Sequence, residues 1–525
     1  MMRYIAIILF LSLCICGCRK EAAITKTPTI PFTPFSSNDH YKIDTLLLAG
    51  VSEGVKNFYK VNDYQTVWIN SKNRIALIIF IKGIEPDGLL PEAYNIANLE
   101  NYELKTKTKR ECIDYDIMLS VSFRKVAKHL FKGVLTARSV YRDWDLPAKK
   151  FDANKLLTQA LSENAVEHLL SKCRPEHPIY AGLQKSFAFI NALPDDTSYP
   201  RISSVKPIAL NSRNSALPAI KRRLAYWKDL KSADTTTIYD RQAFLAIKRF
   251  QARNGIYNDG IINGKTIEAL NTTKAERLAT VIVNLERWRW FPRDFGEKAV
   301  VINLPDYQLT VVEKNKDTVD VYKVVVGKPE RRTPVLVSKF NYLVINPTWT
   351  VPPTILKEDL IPEATEDRAY FANRNMKIYD WKNNEITPED WDPVTPDQYY
   401  YVQGPGPGNS LGAVKFNFNN SHTVYLHDTN HKEYFRRAHR ALSSGCVRVQ
   451  DPFKLATYLL QEEDDDGTKE KLNEMVAAKE TQKVFLTSTA YVHQLYWTAW
   501  MGSNGLQFRD DIYNLDDVLY KKLRK

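Results

Sequence analysis

The chain has 525 residues, of which 44% are hydrophobic and 26% charged, and its formal net charge is +12. This composition excludes a largely disordered chain, and the length suits roughly two to four domains with separate cores. The excess of positive charge favours polyanionic partners such as nucleic acid, anionic lipid or an acidic polymer. The basic runs at 105–110 and 221–223 are short, however, which favours solvated helix faces over a nucleic-acid site.

The N-terminal segment MMRYIAIILFLSLCICGC is typical of a secretory signal. Arg3 precedes an apolar run from residue 5 to residue 16, which is too short for a transmembrane helix. Gly17 and Cys18 at its end resemble a bacterial lipobox, in which the cysteine is lipidated and becomes the mature N-terminus. We therefore expect residues 1–18 to be a lipoprotein signal peptide, with Cys18 as the lipid anchor. A plain cleaved signal is the alternative.

The cysteines that remain after such processing differ in what they can do. Residues 19–40, rich in Pro, Thr and Ser, predict a flexible tether. Arg19, and not an acidic retention signal, follows Cys18, which favours a periplasm-facing lipoprotein of the outer rather than the inner membrane. In that oxidising envelope Cys112 and Cys173 either pair or lie buried, whereas Cys446 is the odd cysteine and a candidate reactive thiol.

Residues 41–205 predict a helical scaffold domain. The stretch DYDIMLSVSFRKVAKHLFKG has apolar residues near helical spacing and ends at Gly133. A later helix, ERLATVIVNLERWRWFP, stops at Pro292 and is expected to return the chain to this region. We therefore expect residues 272–297 to complete the scaffold domain.

Residues 206–271, inserted between these two parts, predict a small module of three helices. LPAIKRRLAYW and DRQAFLAIKRFQ each have one apolar face, and a third short helix follows an Asn-Asp-Gly turn. The segments LPAIKRRL, AFLAIKRFQARNGI and DGIINGKT, in this order, resemble the peptidoglycan-binding domain that is built as a three-helix bundle. A generic helical bundle is the alternative interpretation.

From residue 298 the periodicity changes to that of strands. Three runs, at 299–303, 308–313 and 319–326, predict strands, with a Lys-Asn-Lys-Asp turn between the last two. FNYLVINPTWTVP predicts another strand. The insertion at 354–402 is rich in Pro, acidic and aromatic residues, and a loop of that length favours a lid. We expect a mostly-β domain at 298–490 and a C-terminal extension at 491–525.

Two short segments of this β region contain the residues that are candidates for catalysis. HTVYLHDT ends a strand-like run at His427, and Cys446 begins another, CVRV, 19 positions later. Two such strands can pair and bring the imidazole to the thiol, which needs a neighbour that stabilises the thiolate. Gly445 permits a sharp turn that directs N–H groups at a developing oxyanion. The pattern predicts a cysteine nucleophile, a histidine base and a backbone oxyanion hole.

The combination YLHDT and SSGCVRV resembles the catalytic motif of the L,D-transpeptidase (YkuD-type) family. The order of helical scaffold, inserted module and β domain with a capping loop is similar to the long-chain branch of that family, as are GPGPGNSLGAVKFNF and HQLYWTAWMGSNGLQFRDDIY. The resemblance implies a multidomain α+β chain with a helical scaffold, a three-helix peptidoglycan-binding module and a mostly-β YkuD-like domain.

The resemblance also implies a reaction. Cys446 would attack the carbonyl between the third-position diamino acid and the terminal D-residue of a peptidoglycan stem tetrapeptide, with His427 assisting proton transfer. A side-chain amine of a second stem would then attack the thioester and form a 3-3 cross-link. The further site residues that we expect are Tyr425, Gly445, Ser444 and Asp428 around the oxyanion, and Arg448 and Asn409 at the substrate. Arg448 is equally expected to brace the cysteine loop or pair with a carboxylate.

One position departs from the family pattern, and other interpretations stay open. The family commonly has Ser-His-Gly-Cys, whereas Ser444 stands here in place of the histidine. A zinc site formed by His427, His431, His439 and Cys446 is disfavoured, because the spacing matches no compact ligand motif. A hydrolase that gives the acyl group to water, and a non-catalytic wall-binding lipoprotein, are the alternatives. We expect a monomer that binds donor and acceptor stems and a membrane, with no nucleic acid, metal or cofactor.

Overall fold

The computed structural model describes residues 40–105, 108–203, 206–314, 318–460 and 465–525. The predicted signal peptide with Cys18, the tether up to residue 39, part of the basic run at 105–110 and the turn predicted at 315–317 lie outside the described residues. Within the described ranges, no helix is both long enough and apolar enough to cross a bilayer.

The N-terminal part of the described chain is helical. Its helices are α1 (Glu53–Val61), α2 (Ser71–Lys82), α3 (Ile96–Lys105), α4 (Lys109–Lys132), α5 (Ala137–Val140), α6 (Ala153–Ser162), α7 (Val166–Ser171) and α8 (Pro178–Asn191). The longest, α4, begins with a capping box of Thr108 and Glu111 and ends before Gly133, as predicted. Apolar residues between Ile43 and Cys173 form one core, and both Cys112 and Cys173 are buried free thiols.

The module predicted at 206–271 folds as short helices that bury the predicted faces. They are α9 (Leu217–Tyr226), α10 (Arg241–Arg253) and α11 (Gly264–Asn271), and α12 (Lys274–Trp290) follows. Leu217, Ile220 and Leu224 are fully buried, as their spacing predicts. The side chains of this module share one continuous core with the β region that follows.

Eleven strands within the described residues form one sheet that closes into a barrel. The strands of the chain are β1 (Trp144–Asp145), β2 (Lys298–Asn303), β3 (Gln308–Glu313), β4 (Thr318–Gly327), β5 (Val335–Ile345), β6 (Trp349–Thr350), β7 (Met376–Asp380), β8 (Glu385–Ile386), β9 (Tyr399–Gln403), β10 (Val414–Phe418), β11 (Leu426–His427), β12 (Ala441–Ser443), β13 (Val447–Val449), β14 (Gln482–Phe485), β15 (Tyr491–Leu495), β16 (Ala499–Gly502) and β17 (Gly505–Phe508). The sheet order is β1-β5-β10-β11-β13-β4-β3-β2-β15, with β12 on β4 and β14 on β5. Because β15 also pairs with β5, the sheet closes on itself. The predicted fold class, helical regions followed by a mostly-β region, is confirmed.

The insertion at 354–402 is not the long loop that we predicted. It contains the helices α13 (Pro353–Ile355), α14 (Ile361–Glu366) and α15 (Ala369–Asn373), and a separate sheet in the order β6-β9-β7-β8. Phe371, Trp391 and Tyr401 lie in a small hydrophobic core of its own. Because these apolar side chains pack on one another, the segment is a subdomain with defined structure.

The predicted boundary at residue 490 is corrected by the position of β15. Tyr491–Leu495 pairs in parallel with β2 and antiparallel with β5, so the first part of the predicted C-terminal extension is a strand of the barrel. The remaining helices are α16 (Pro452–Leu460), α17 (Asp465–Ala477) and α18 (Asp516–Leu523). The β16–β17 hairpin packs on α8, and α18 packs on α12.

Candidate active site

The parallel pair β11 and β13 brings the two predicted segments together. Leu426 lies opposite Val447, and His427 lies opposite Arg448. The N–H of Val447 donates to the carbonyl of Tyr425 at 3.1 Å, which sets Cys446 beside Tyr425. Since side chains alternate along a strand, Tyr425, His427, Cys446 and Arg448 share one face of the sheet. The rings of Tyr425 and His427 are 5.6 Å apart.

The turn before Cys446 is held by hydrogen bonds on both sides of Gly445. Gly445 has φ of 115°, a conformation that disfavours any residue with a Cβ. Its carbonyl accepts from Thr333 Oγ1 at 2.8 Å, and its N–H donates to Ser443 Oγ at 3.2 Å. Ser443 Oγ in turn donates to the carbonyl of Cys446 at 2.5 Å. The thiol is therefore presented by a backbone turn with little freedom.

The groups around the Cys446 thiol act on its pKa in opposite directions. Burial raises the pKa of the thiol. The backbone N–H and the hydroxyl of Tyr425, together with the positive charges of Lys415 and Arg448, lower it without cancelling the effect of burial. In the resting structure the protonated thiol is favoured, and the donors that would stabilise a thiolate are already in place.

His427 is a neutral imidazole at neutral pH. Burial lowers its pKa to about 3, and the positive charges of Arg448 and Lys415 lower it as well. The ring nitrogen Nδ1 is buried and has no hydrogen-bond partner in the described part of the chain. A neutral imidazole with an unpartnered nitrogen is able to accept a proton, as the assignment of His427 as the base requires.

Lys415 is a site residue that the sequence analysis missed. It lies on β10 directly opposite His427, and its Nζ is 3.9 Å from the centroid of the Tyr425 ring. Burial lowers the pKa of Lys415, and the neighbouring Cys446 raises it. The alternation in Val414-Lys415-Phe416 indicated only that the lysine faces away from the two apolar side chains.

Arg448 is the second cation of the site, and among the described residues the carboxylate of Glu433 acts on it without forming an ion pair. Its Nε and Nη1 atoms are buried without a hydrogen-bond partner among the described residues. The guanidinium carbon lies 5.7 Å from the ring centroid of Tyr434. Of the roles considered above, pairing with a carboxylate of the protein is not seen, and the free N–H groups are suited to a substrate carboxylate.

Ser444 connects the cysteine turn to the insertion. Its side chain is exposed, and its Oγ accepts from Arg331 Nη1 at 2.8 Å. The same guanidinium pairs with Glu358 and Asp359 of the insertion, in the latter case at 2.8 Å. The position that is commonly histidine in the family therefore joins, through Arg331, the loop of the nucleophile to the subdomain at 354–402.

Asp428 and Asn409 brace the neighbouring loop instead of facing the thiol. Asp428 accepts from the N–H of Ala413 at 2.9 Å and pairs with Lys432, and a Cβ at Gly412 would overlap its carboxylate. Asn409 is buried, and its Nδ2 donates to two backbone carbonyls while its Oδ1 accepts from the N–H of Leu411. The predicted contact of Asn409 with substrate is therefore replaced by a structural role, because all its polar atoms are already bonded.

The residues considered as zinc ligands have other partners. His431 Nδ1 lies 3.0 Å from a carboxylate oxygen of Glu433, and His439 Nδ1 lies 3.0 Å from the hydroxyl of Tyr307. Across the described ranges, no group of three or more His, Cys, Asp or Glu side chains is placed to hold a metal ion.

Three family models match successive parts of the chain. Residues 53–187 match a "Scaffold domain", residues 213–270 a "Putative peptidoglycan binding domain", and residues 297–476 an "L,D-transpeptidase catalytic domain". A curated relative from Haemophilus influenzae, named "Putative L,D-transpeptidase", is 36% identical over 236 residues. This match covers 45% of the present chain and 47% of the relative, so it spans about half the length of each.

Solved structures of L,D-transpeptidases are also similar to the chain. The one from Stackebrandtia nassauensis is 16% identical with a TM-score of 0.21, and the match covers 56% of this chain and 97% of that one. The one from Mycobacterium smegmatis is 12% identical with a TM-score of 0.18, covering 38% and 58%. TM-scores this low carry no argument about the site. From the matched models and the motif at Cys446, we conclude that this chain carries a catalytic domain of the L,D-transpeptidase family together with a domain of the peptidoglycan-binding type.

Proposed function

We propose that the chain is a cysteine-dependent L,D-transpeptidase that joins peptidoglycan stem peptides through 3-3 cross-links. The observation that carries this proposal is the register of β11 and β13, which sets Cys446 beside Tyr425 and His427 beside Arg448. The matches to a catalytic and a peptidoglycan-binding domain support the class of substrate.

In the proposed first half-reaction, the sulfur of Cys446 attacks the carbonyl carbon that precedes the terminal D-residue of a donor tetrapeptide. His427 takes the thiol proton and then delivers it to the leaving amine, so the C–N bond breaks and a thioester remains. The N–H of Cys446 donates to no backbone acceptor in the described part of the chain, and the Tyr425 hydroxyl reaches the same sulfur. These two donors are suited to the oxyanion that forms beside the sulfur.

In the second half-reaction, the side-chain amine of an acceptor stem attacks the thioester carbonyl. His427 removes a proton from this amine and returns it to the departing sulfur, which regenerates the Cys446 thiol. The new amide joins the third residues of two stems. The same oxyanion donors serve both steps, because both pass through a tetrahedral centre at the same carbon.

The two cations of the site offer a physical link between binding and catalysis. Lys415 and Arg448 depress the pKa of His427, and the described residues show no ion pair between either cation and a carboxylate. Stem peptides carry carboxylates, and a donor carboxylate placed beside Arg448 would offset this charge. We therefore propose that substrate binding raises the proton affinity of His427 at the stage when it acts as the base.

Transfer to an amine requires that water is kept from the thioester. We propose that the insertion at 354–402 acts as a lid, as its ion pairs with Arg331 beside Ser444 support. A poorly closed lid would give the acyl group to water, and the product would then be a tripeptide. The experiment below separates these two outcomes.

We further propose that the chain is a monomeric, periplasm-facing lipoprotein of the outer membrane, anchored through Cys18. Its peptidoglycan-binding module would raise the local concentration of donor and acceptor stems at the tethered enzyme. Mass spectrometry of the N-terminal peptide from membrane-extracted protein tests this proposal. An acylated Cys18 at the mature N-terminus is expected, and an unmodified Cys18 or a different N-terminus contradicts the anchor.

The decisive test of activity is intact-protein mass spectrometry with a disaccharide-tetrapeptide. We expect the wild-type protein and the Cys112→Ala variant, which loses a buried thiol of α4, to form a transient adduct and a cross-linked dimer. Cys446→Ala should form neither. Tripeptide without dimer would identify a hydrolase, and a folded wild-type protein with no adduct and no product would rule out the proposed enzyme.

A further inference from the structure

A cavity of about 730 Å³ lies in the helical region and is formed without any residue of the barrel. Its walls come from three places: the start of α1 at Ser52 and Val55, the face of α4 from Val121 to Lys132, and the start of α6 from Phe151 to Asn154. This volume falls in the range of roughly 300–1,000 Å³ that is usual for small-molecule sites.

The walls of this cavity are strongly basic. They contain Arg124, Lys125, Lys128 and Lys132, against the single carboxylate of Asp152. Arg124, Lys128 and Lys132 are four residues apart on α4 and therefore share one helix face. His129 adds no charge at neutral pH, because burial, together with Arg289, Lys125 and Lys128, lowers its pKa to about 4. Lys125 Nζ donates to the carbonyl of Ala93 at 2.7 Å. Within the ranges that the structure describes, no ion pair of Arg124, Lys128 or Lys132 is seen.

Arg124 is built into the wall. A Cβ at residue 54 would overlap its Nη2, so Gly54 makes room for the guanidinium. The Nη1 atom of Arg124 and the Oδ1 atom of Asn154 are both buried without a hydrogen-bond partner in the described chain. Asn154 itself is held in place, since its Nδ2 donates to the carbonyl of Gly54 at 3.0 Å. Leaving such groups unpaired is unfavourable, and a bound anion with a hydrogen-bond donor would satisfy both.

We propose that this cavity binds a phosphate ester. The four cations exceed what one carboxylate would neutralise, whereas a phosphate offers several acceptor oxygens to the Arg124 fork and to the neighbouring lysines. The volume exceeds that of a phosphate group alone, and the side chains of Val55, Val121 and Phe151 provide an apolar wall for the organic part. The source is either a phospholipid headgroup or a soluble phosphate ester, and this site is separate from the proposed transpeptidase reaction.

The test uses the full chain and two probes. The first is glycerol 3-phosphate, whose binding is measured by calorimetry. The second is phosphatidylcholine vesicles with or without phosphatidylglycerol. The variant is Lys128→Gln with Lys132→Gln, because replacing the packed Arg124 risks misfolding. The control is Lys185→Gln with Lys471→Gln, which makes the same change of net charge at exposed positions on α8 and α17. We expect the cavity variant to bind glycerol 3-phosphate about tenfold more weakly than the control, because charge-assisted contacts are lost.

The vesicles identify the source of the phosphate. If the cavity variant also loses binding to anionic vesicles, and glycerol 3-phosphate competes with them, the ligand is a lipid headgroup. If only glycerol 3-phosphate is affected, the ligand is a soluble ester. Equal binding of both probes by variant and control overturns the proposal. The proposal is also overturned if the cavity variant loses only its binding to a phosphate-free disaccharide-tetrapeptide, because the site would then recognise carboxylates.

Discussion

At the scale of single residues, Lys415 and Tyr425 act together on the nucleophile. The ammonium of Lys415 lies over the Tyr425 ring, and the Tyr425 hydroxyl reaches the Cys446 sulfur. A cation near a thiol favours the thiolate, and this opposes the effect of burial on the same group. Lys415 is therefore a positioning and electrostatic residue of the site, separate from the attacking sulfur itself.

Replacing Lys415 with Met removes the charge and keeps most of the side-chain volume. We expect the midpoint of the pH profile for alkylation of Cys446 by iodoacetamide to rise by about one pH unit, because burial is then less opposed. Lys339→Met is the matched control, since Lys339 also lies over a tyrosine ring, that of Tyr491, on the exposed side of β5. A midpoint that is unchanged in Lys415→Met would exclude a role of this charge in thiolate formation.

Some site residues can be predicted from a local sequence pattern, and others only from the tertiary structure. The two strand-like runs that carry His427 and Cys446 were enough to predict that the strands pair, and the register of β11 and β13 confirms this pairing. Lys415 was missed because its position relative to His427 depends on the register of β10 and β11, which no local pattern specifies. Asn409 was assigned to the substrate from the resemblance to the family, but its amide is used by the turn that contains it.

At the scale of elements, α12 is held to the C-terminal helix α18 by a buried ion pair. Arg287 Nη1 lies 2.5 Å from Asp516 Oδ1, and the Arg287 side chain is fully buried. The neighbouring Asp516 oxygen accepts from Thr498 Oγ1 at 2.7 Å, and the hydroxyl of Tyr141 lies 3.2 Å from Arg287 Nη2. Helices from the scaffold side and from the end of the chain therefore meet at one charged contact.

Removing one partner of this buried ion pair should lower the stability of the protein more than removing one partner of an exposed pair. Asp516→Ala leaves the Arg287 charge buried without its partner, and we expect the free energy of unfolding to fall by about 3 kcal/mol. The control is Asp517→Ala, which removes the neighbouring exposed carboxylate from its pair with Lys521 and should cost less than about 1 kcal/mol. Urea denaturation of both variants measures the difference. Equal losses would mean that the buried pair is not the contact that holds α18.

The helices of the insertion at 354–402 were predicted as a loop, although part of the sequence has helical spacing. Leu356, Leu360 and Ala364 are four residues apart and are all buried, which is a helical spacing. The prolines at 352, 353 and 362 indicated a loop. Pro352 and Pro353 lie at the start of a helical run, where proline is tolerated, and Pro362 follows the π-helical turn Leu356–Leu360 within that run. The aromatic residues that complete the core come from the separate strands and loops of this subdomain, so their contacts follow from tertiary structure.

At the scale of the whole molecule, several buried histidines make folding sensitive to acid. Burial lowers the pKa values of His129, His177 and His493 to about 4 and that of His427 to about 3. In the unfolded chain a histidine titrates near ~6.5. Between these values the unfolded state binds protons that the folded state does not, so stability is present above pH 6.5 and is lost as the pH falls towards 4. Asp116, whose pKa is raised to about 6 by burial, acts in the opposite direction.

Removing one of these histidines should make stability less dependent on pH. His493 on β15 donates from Nε2 to the carbonyl of Phe295 at 2.9 Å, and glutamine is able to keep a donor there. Between pH 6.5 and 4, we expect wild type to lose about 3 kcal/mol more stability than His493→Gln. His168→Gln, at an exposed position of α7, is the control and should follow the wild-type profile. Parallel profiles for wild type and His493→Gln would show that His493 has the same pKa in the folded and unfolded states.

The closure of the barrel by β15 has a consequence for how the protein is made. The strand at Tyr491–Leu495 joins β2 to β5, and its partners in β2 lie some 190 positions earlier in the chain. While the chain is being synthesised, both partner strands carry unpaired backbone groups on the edges that β15 will cover. Contacts this distant in sequence form slowly. The barrel around Cys446 thus closes only after residues 491–495 have been made, so a chain that stops before them holds no finished site.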